Sequence, residues 1–549
     1  MYRKTPRLLA VATIGFAAMP LLAGISQANA ADVTVDLTAT KQVIRGFGAS
    51  SAWCGTVSTT VMDSLYKDLG YSILRVRIEE GVGDGWSSGN FSAWAPELAN
   101  AKNAIARGAI AFASPWNPPD SMKSGGKLMT SKYGDYANYL KAYAKYFSDN
   151  GAPLYAISIQ NEPDFASTWT AWTATDLLSF LTAQGATLSS AIKVIMPESF
   201  QFIHAMSDPS LNDATVASYI SIIGGHLYGG KIQDYPLARN QGKELWETEH
   251  YFDDDTMPNI MKMATEIHDC MVTGYMNAYV YWWITYGNGL GTSSGTIFKR
   301  AYVLGQFAKY IRPGYFRVDA TANPVTNVDV SAYRGSDKVV IVAVNSGTAS
   351  VNQNFVLGSG TGSQISSWQT TASSNMTAGQ TYQASGGAFT AALPGQSITT
   401  FVGTLNTPIG LDGGASGGAG GVAGDAGTSA SGGSPGSGGL SGAGGMSGVG
   451  GATVAGTGGS LGSGGRAGTG GSGGASSGSG GTTTAKSDNS AAGGSVSGGT
   501  ATTGDKSSGC SCALAGRSAG ADAHRLGSAV GAILVLCGLA LARRRKGAR

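Results

Sequence analysis

Residues 154–163 read Leu-Tyr-Ala-Ile-Ser-Ile-Gln-Asn-Glu-Pro, a β-like run that ends in a glutamate and a proline. Seven further β-like runs lie at residues 44–49, 72–78, 109–114, 192–197, 221–227, 244–249 and 278–284. Amphipathic helical segments separate several of them, for example residues 133–150 and 258–273. Eight strands alternating with helices predict an α/β fold, the (β/α)8 or TIM barrel, over residues 46–312. A Rossmann-type sheet is the alternative, but Gly46-Phe47-Gly48 lacks the rest of a dinucleotide-binding fingerprint.

The pattern changes after residue 312. Residues 338–345, 352–357 and 397–403 are typical of strands, and turn residues separate them. We therefore predict a small β-sandwich over residues 313–410, joined by an N-terminal strand within residues 31–45. The sandwich could stabilise the barrel or could be a carbohydrate-binding module. The absence of a linker before it favours the first role.

The two ends of the chain predict export. Basic residues, an apolar run and Ala28-Asn29-Ala30 are typical of a signal peptide over residues 1–30, although a membrane anchor is the alternative. Residues 411–509 hold 39 of the 84 glycines and no aromatic residue, which predicts a disordered linker. Residues 510–549 combine Cys510 and Cys512, an apolar run at 526–542 and a basic tail. This order resembles the tripartite sorting signals of exported bacterial proteins, most of all the myxobacterial type. It implies display at the cell surface, or release after processing; a plain membrane anchor is the alternative.

The composition of the body excludes some classes of function. Residues 31–411 hold 24 Lys and Arg against 29 Asp and Glu, a net charge of −5. A nucleic-acid-binding body would need a basic surface, so we expect no nucleic-acid partner. Only Cys54 and Cys270 belong to the body, and the sequence leaves open whether they pair. We expect a monomer.

Two glutamates stand at predicted strand ends, where barrel enzymes carry their catalytic side chains. Glu162 follows the fourth strand, and Glu249 ends the seventh. Two facing carboxylates, one protonated and one ionised, are what a retaining glycosidase needs. We expect burial to raise one pKa and hydrogen-bond donors to hold the other low. A structural glutamate that pairs with an arginine is the alternative for each of them.

Several motifs together resemble glycoside hydrolase family 30, and most closely its bacterial xylanase subfamily, over roughly residues 33–405. They are Gly46-Phe47-Gly48-Ala49, Leu74-Arg75-Val76-Arg77, Ser114-Pro115-Trp116-Asn117-Pro118-Pro119, Gln160-Asn161-Glu162-Pro163-Asp164, His226-Leu227-Tyr228-Gly229, Thr248-Glu249-His250-Tyr251, Lys299-Arg300 and Arg312-Pro313-Gly314-Tyr315. The resemblance implies a fused β-sandwich and a retaining mechanism, with Glu162 as acid/base and Glu249 as nucleophile. It also implies a set of sugar-binding residues, namely Arg75, Trp116, Asn161, Tyr228, Tyr251 and Trp283.

Some of these residues have a structural alternative. Arg75 could brace a strand-end carboxylate instead of contacting the sugar. Strand alternation should point Trp282 and Trp283 to opposite faces, and we expect Trp283 to face the sugar and Trp282 to pack in the core. His226 and His250 are expected to be hydrogen-bonded scaffold residues. No metal-ligand spacing is present, so we expect no metal and no cofactor.

Two departures from the family pattern bear on chemistry and substrate. Glu247 replaces an apolar residue, and its spacing from Glu249 predicts the same strand face, where one pKa would be raised. The glucuronoxylan-specific members carry, just beyond the Trp pair, an arginine that clamps a uronate branch. Here residues 282–298 contain no basic residue, and residues 253–255 are three aspartates. We therefore expect cleavage of β-1,4-xylan without dependence on glucuronate branches. A β-glucan or β-glucoside substrate, a glucuronate-dependent enzyme and an inactive carbohydrate-binding barrel are the alternatives.

Overall fold

The computed structural model describes residues 30–165, 169–357 and 360–406, leaving aside the side chains of residues 81 and 82. The predicted signal peptide up to residue 29, the glycine-rich linker and the C-terminal sorting segment lie outside these ranges. Among the described residues, no helix is both long and apolar enough to cross a membrane.

The described strands, in chain order, are β1 (Val33–Val43), β2 (Gly46–Ser50), β3 (Ile73–Ile78), β4 (Ile110–Pro115), β5 (Lys123–Ser124), β6 (Lys127–Leu128), β7 (Ala156–Ser158), β8 (Lys193–Ser199), β9 (Ile220–His226), β10 (Glu244–His250), β11 (Ala278–Trp283), β12 (Phe316–Ala320), β13 (Val328–Arg334), β14 (Lys338–Asn345), β15 (Val351–Val356), β16 (Thr361–Thr370), β17 (Thr377–Ala378), β18 (Tyr382–Gln383), β19 (Ala388–Leu393) and β20 (Ser397–Leu405). The α-helices are α1 (Thr59–Met62), α2 (Ala95–Ile105), α3 (Tyr133–Asp149), α4 (Ala174–Ser189), α5 (Asp208–Asn212), α6 (Ala214–Tyr219), α7 (Pro236–Arg239), α8 (Met257–Val272) and α9 (Lys299–Ala308). A π-helix (Asp63–Asp68) and 3₁₀ helices (Glu80–Ser88, Ser92–Trp94, Asp120–Met122, Thr130–Lys132, His204–Met206) complete the helical elements.

Eight parallel strands close into a barrel in the order β10-β11-β2-β3-β4-β7-β8-β9, which confirms the predicted fold. Alternate residues of these strands fill the interior, among them Phe112, Ile195 and Trp246. At Gly48 the strands come so close that an added Cβ would lie 1.8 Å from the carbonyl oxygen of Ile73. A side chain cannot be accommodated there, so glycine at this position permits the strands to pair.

The helices cover the barrel with the apolar faces that their sequence periodicity predicts. In α3 the buried residues recur at three- and four-residue spacings, as at Tyr136, Leu140, Tyr143 and Phe147. Cys270 is buried on α8, and both it and Cys54 are free thiols. The question of a disulfide between them is therefore answered in the negative.

A β-sandwich accompanies the barrel and is built from β1 and β12–β20. The long strand β1 pairs antiparallel with β12 along its length and parallel with β15 at its first residues, so it belongs to both layers. The sandwich has its own apolar core, with Val33, Val330, Ile341, Phe355 and Phe401 among its members.

Helix α9 joins the sandwich to the barrel. Thr400 Oγ1 donates to the carbonyl oxygen of Gln306 at 2.7 Å, and Lys299 Nζ donates to that of Thr371 at 2.7 Å. The Trp368 ring packs on Tyr310 with centroids 4.3 Å apart. These polar and aromatic contacts fasten the layer of the sandwich that contains β16 and β20 to one side of the barrel.

Candidate active site

Glu162 and Glu249 meet at the carboxyl-terminal end of the barrel. Glu162 follows β7, and Glu249 is the last residue but one of β10. Both side chains are buried. One carboxylate oxygen of each lies within 4.8 Å of the other and of a ring nitrogen of His226. The two carboxylates that the sequence singled out therefore share one site, at a separation suited to a retaining glycosidase.

The backbone holds Glu162 in an unusual conformation. Its φ is +44°, a left-handed value that non-glycine residues rarely adopt. Glu162 N–H donates to the carbonyl oxygen of Glu198 on the neighbouring strand at 3.0 Å, and Asn161 N–H donates to that of Pro115 at 2.8 Å. The neighbouring strands β4 and β8 thus fix the segment, and conformational strain of this kind is concentrated at functional sites.

Arg75 is the central cation of the site. Its side chain is fully buried and donates to the Glu249 carboxylate, to Asn161 Oδ1 at 2.6 Å and to Ser114 Oγ at 3.1 Å. It also pairs with Glu198 at 3.2 Å. Arg75 therefore braces strand-end carboxylates, which was the structural alternative for this residue, and one of those carboxylates is Glu249 itself.

Glu198 is a third buried carboxylate that the sequence analysis missed. It is the last residue but one of β8, has a φ of +52° and has no exposed side-chain surface. Burial alone would raise its pKa, but the charges of Arg75 and His226 lower the pKa to about 2. The signal that could have found it was present, because Glu198 stands directly behind the β-like run 192–197.

His226 is a buried imidazole between these carboxylates. Its Nδ1 lies 3.0 Å from Glu162 Oε1, and its Nε2 lies 3.9 Å from oxygens of Glu198 and Glu249. Burial alone would lower its pKa, but Glu249 and Glu162 raise the pKa of His226 to about 10. The surrounding carboxylates therefore favour the protonated form of the imidazole, and its contacts hold these carboxylates in place.

The trio of Glu162, His226 and Glu249 has the spacing of a possible metal site, which the sequence spacing had not predicted. A metal-ligating imidazole must be neutral. The oxygens of Glu249 and Glu162 already accept hydrogen bonds from Arg75, Tyr228 and Trp169, and the neighbouring carboxylates favour the protonated imidazole of His226.

Tyr228 and burial have opposite effects on the pKa of Glu249. Tyr228 donates its hydroxyl to Glu249 Oε1 at 3.0 Å. Burial nevertheless raises the pKa of Glu249 above its ordinary value, although the charges of His226 and Arg75 oppose this. The expectation that hydrogen-bond donors hold this pKa low is therefore wrong, because desolvation outweighs the donors.

Glu247 does not share surroundings with Glu249, contrary to the expectation from strand alternation. The register of β10 against β9 shifts between the two residues. Glu247 accepts a hydrogen bond from Val280 N–H at 3.0 Å and is fully buried. Its pKa is raised well above the ordinary value by burial first and then by Glu266. The rise in the pKa of Glu247 agrees with the prediction, but the carboxylate that contributes to it is Glu266 and not Glu249.

Aromatic rings form one wall of the site. Trp116 and Trp282 lie over the Arg75 guanidinium at 4.7 and 5.5 Å, so Trp282 belongs to the site. Trp282 continues the inward-facing series of Ala278 and Val280 and packs in a buried cluster with Ala52 and Trp116, as the core packing predicted for it requires. Trp283 lies beside it, with centroids 4.7 Å apart, and stacks on Tyr251 at 6.4 Å.

Two further tryptophans of this wall come from loops and were missed. Trp169 donates its indole N–H to Glu162 Oε2 at 2.8 Å. Trp53, at a φ of +58°, packs on Trp116 at 4.9 Å and on Trp282 at 5.7 Å. Neither lies at a strand end, so no periodic pattern marks them.

Comparisons with known proteins point to glycoside hydrolases. The profile of glycosyl hydrolase family 59 matches residues 93–295, within the barrel. Glucuronoxylanase XynC of Bacillus subtilis (strain 168) is 42% identical over 398 residues, which are 68% of this chain and 92% of that protein. A GH30 endoxylanase from Clostridium papyrosolvens C71 is 61% identical, with a TM-score of 0.67, and covers 68% of this chain and 100% of its own.

The chain belongs to glycoside hydrolase family 30. A family 30 subfamily 8 xylanase, Xyn30A from Clostridium acetobutylicum, is also similar, with 55% identity and a TM-score of 0.67 over 68% of this chain and 100% of its own. The family resemblance drawn from the sequence motifs is thereby confirmed for the barrel and the sandwich.

In this family 30 chain the acidic loop after Glu249 is largely occupied by structural contacts. Asp255 accepts hydrogen bonds from the backbone N–H groups of Lys299 and Arg300 at 2.7 and 3.2 Å, where α9 begins. Arg300 also pairs with Asp255 at 3.0 Å. Asp253 accepts from Asn288 Nδ2 at 3.3 Å. The first two basic side chains after the Trp pair are therefore engaged, Arg300 with Asp255 and Lys299 with the sandwich.

Proposed function

We propose that this chain is a retaining glycoside hydrolase that cleaves the main chain of β-1,4-xylan in the manner of an endoxylanase. The observation that carries the proposal is the approach of the Glu162 and Glu249 carboxylates to within 4.8 Å in a buried, aromatic site. Relatives that are 42–61% identical are called glucuronoxylanase or endoxylanase, which supports xylan as the substrate.

In the proposed mechanism Glu249 attacks the anomeric carbon while Glu162 gives its proton to the departing oxygen. Water then hydrolyses the glycosyl-enzyme, with Glu162 as the base that accepts its proton. Arg75 and Tyr228 orient Glu249, and His226 and Trp169 hold Glu162. These contacts fix the positions of both carboxyl groups before substrate arrives.

Asn161 and the aromatic wall would bind the sugar. Asn161 Nδ2 and Trp283 Nε1 are buried donors without a partner in the described part of the chain. An unpaired buried donor costs free energy, so a ligand that accepts from it gains affinity. A sugar hydroxyl is such an acceptor, while Trp116, Trp282, Trp283 and Tyr251 present apolar ring surface to its C–H groups.

We also propose that glucuronate branches are dispensable. In glucuronoxylan-specific members, an arginine beyond the Trp pair holds the branch carboxylate. The corresponding segment here has no basic residue, Lys299 and Arg300 are engaged elsewhere, and Asp253 lies in the adjoining loop. A negative charge near a uronate weakens its binding. A glucuronate-dependent enzyme and a β-glucanase remain the competing candidates.

Product analysis tests both proposals. The full-length protein and its Glu249→Ala variant are incubated with linear xylan, methylglucuronoxylan and a β-1,4-glucan, and ¹H NMR follows the first-formed anomer. We expect neutral oligosaccharides of β configuration from linear xylan and none from the variant. Activity on methylglucuronoxylan alone would refute independence from glucuronate. Activity on the glucan alone would replace the substrate, and a first-formed α-anomer would refute the retaining mechanism.

We further propose export to the cell surface or release from it, on the basis of the N-terminal signal and the tripartite C-terminus. The proposal is supported by the sequence of residues 1–30 and 510–549. Mass spectrometry of the native protein should find a mature N-terminus near Ala31 and a truncated C-terminus near Cys510. An intact apolar C-terminus in the membrane fraction would favour the plain anchor. Size-exclusion chromatography tests the expected monomer.

A further inference from the structure

Residues 51–57, in the loop between β2 and α1, carry Trp53 into the aromatic wall of the site. Its ring centroid lies 4.9 Å from that of Trp116 and 5.7 Å from that of Trp282, both in edge-on contacts. The Trp169 ring lies 6.3 Å away. Trp53 therefore contacts three rings that come from different parts of the barrel, and its position affects the shape of the whole wall.

Trp53 has a backbone conformation that needs support from its surroundings. Its φ is +58°, a left-handed value that is unfavourable for a residue with a Cβ atom. Ser51 N–H donates to the carbonyl oxygen of Arg75 at 3.0 Å, and Cys54 N–H donates to that of Ser51 at 2.9 Å. These bonds fix the start of the loop. A strained conformation persists only where further contacts fix it, and here they come from helix α2.

Two buried polar side chains of α2 hold this loop at both ends. Near its start, Ser51 Oγ donates to the Glu97 carboxylate. Near its end, Asn100 Nδ2 donates to the carbonyl oxygen of Gly55 at 2.8 Å, and Val57 N–H donates to Asn100 Oδ1 at 2.8 Å. Glu97 and Asn100 are both buried, so loss of one partner would leave a buried polar group unpaired.

The spacing along α2 explains why these two side chains reach the same loop. Glu97 and Asn100 are three residues apart and therefore lie on one face of the helix. Asn103, three residues further on, instead bonds within its own helix, where its Nδ2 donates to the carbonyl oxygen of Ala99 at 3.1 Å. Asn100 and Asn103 thus form a matched pair, of which the first supports the loop.

A cation links Trp53 to the same helix. The Arg77 guanidinium lies over the Trp53 ring, 4.3 Å from its centroid, in a cation–π contact. Burial raises the pKa of Glu97 to about 7, while Ser51 and Arg77 oppose the rise. The indole, the guanidinium and the carboxyl group therefore form one network that runs from the wall of the site to α2.

We propose that Glu97 and Asn100 are positioning residues for the cleavage reaction, which act by holding Trp53 in the wall against which the sugar binds. The inference rests on the proposed function and adds to it two residues that lie behind the wall. A ring that is already in place need not be ordered when substrate binds. A loosened loop should weaken binding of substrate and transition state alike, so KM should rise with little change in kcat.

A double-mutant cycle tests whether Asn100 acts through Trp53. Kinetics on linear xylan are measured for the full-length wild type, Asn100→Ala, Trp53→Ala and the double variant, with Asn103→Ala as the matched control. We expect Asn100→Ala to lower kcat/KM about tenfold, mainly through KM, and Trp53→Ala about thirtyfold. In the Trp53→Ala background, Asn100→Ala should cost less than twofold, because no indole is left to position. Asn103→Ala should stay within twofold of the wild type.

The other end of the loop has a test of its own. Glu97→Leu removes the acceptor of the hydrogen bond from Ser51, and Ser51→Ala removes its donor. Each should lower kcat/KM about fivefold, and Glu97→Gln, which keeps an oxygen that can accept from Ser51, should recover most of that loss. Thermal unfolding identifies any variant that is not folded at the assay temperature. Ser51→Ala takes the place of Asn100→Ala in the cycle if the latter does not fold.

Three results would overturn the positioning role. They are losses that multiply in the double variant, a loss in Asn103→Ala equal to that in Asn100→Ala, and a Glu97→Gln variant as impaired as Glu97→Leu. If the wild type cleaves only methylglucuronoxylan or the β-glucan, the same cycle is measured on that substrate. A wild-type protein inactive on all three polysaccharides would instead refute the proposed function.

Discussion

Replacing Arg75 by methionine should destabilise the protein through the carboxylates that it leaves behind. The guanidinium is fully buried and contacts Glu249, Glu198, Asn161 and Ser114. Methionine retains much of the apolar stem but removes the positive charge and its hydrogen bonds. Breaking a buried ion pair from one side costs about 3–5 kcal/mol, because the partner charge stays buried. We expect the lower part of that range, since His226 Nε2 lies 3.9 Å from both carboxylates.

The pH dependence of the loss of stability in Arg75→Met identifies the cause of that loss. The pKa of Glu198 is about 2 in the folded wild-type protein and lies near its ordinary value of 4.5 when the chain is unfolded. Its contribution to stability is therefore complete above pH 4.5 and is lost as the pH falls toward 2. Without Arg75, burial raises the pKa of Glu198 instead. The difference in stability between wild type and variant should thus be largest at pH 7 and shrink toward pH 4.

Thermal unfolding of the wild type, Arg75→Met, Glu198→Gln and the double variant measures this. For a folded body of this size the entropy of unfolding is roughly 0.8 kcal/mol/K, so 3–4 kcal/mol corresponds to a fall in Tm of about 4–5 °C. The double variant should recover part of that loss, because it leaves one buried carboxylate fewer. The charge-based explanation fails if the fall in Tm at pH 7 is below 1 °C, or if it is the same at pH 4 and pH 7.

Three further outcomes are expected. Gly48→Ala should lower Tm by more than 5 °C or prevent soluble expression, because the added Cβ would lie 1.8 Å from the carbonyl oxygen of Ile73. Gly134→Ala is the control and should change Tm by less than 2 °C, because its added Cβ would lie 3.9 Å from the nearest atom, on Gln184. Similar Tm values for the two variants would contradict the prediction. The acid limb of kcat/KM on linear xylan should lie above pH 4.5, because burial raises the pKa of Glu249 and the nucleophile must be ionised; a limb below pH 4 would oppose it. Tyr228→Phe removes a hydrogen-bond donor to the Glu249 carboxylate, so the acid limb of the pH profile should move to higher pH. We expect kcat/KM to fall about tenfold and Tm to stay within 2 °C of the wild-type value. An unmoved acid limb would show that the hydroxyl has no role in the ionisation of Glu249.

Much of the fold and the central pair of glutamates follow from local sequence. The strand-like runs are apolar and bounded by turn residues, so their number and order were predictable, and the barrel then places the end of each run at one rim. Glu162 and Glu249 could be found for that reason. Their exact partners could not, since the roles of His226 and Arg75 depend on distances across the barrel that no local pattern encodes.

The errors have definite physical causes. A register shift in β10 separates Glu247 from Glu249, and strict alternation along the strand cannot anticipate it. For Trp282 and Trp283, alternation predicts that the two side chains diverge but not which of them faces the barrel axis. Trp53 and Trp169 reach the site from irregular loops, where hydrogen bonds and ring contacts from distant segments determine the backbone path.

The course of β1 limits how this protein can be divided. The strand lies at the N-terminal side of the barrel in the chain, yet it pairs with β12 and β15, whose residues come after the barrel. Truncation of the chain directly after the barrel would remove most of the sandwich and expose the apolar side chains of Val33, Val35 and Leu37 to water. In a gene, the sandwich therefore cannot be exchanged as one contiguous cassette. A recombination event would have to keep β1, which precedes the barrel, together with β12–β20, which follow it. The barrel and the sandwich are therefore expected to be inherited as one unit.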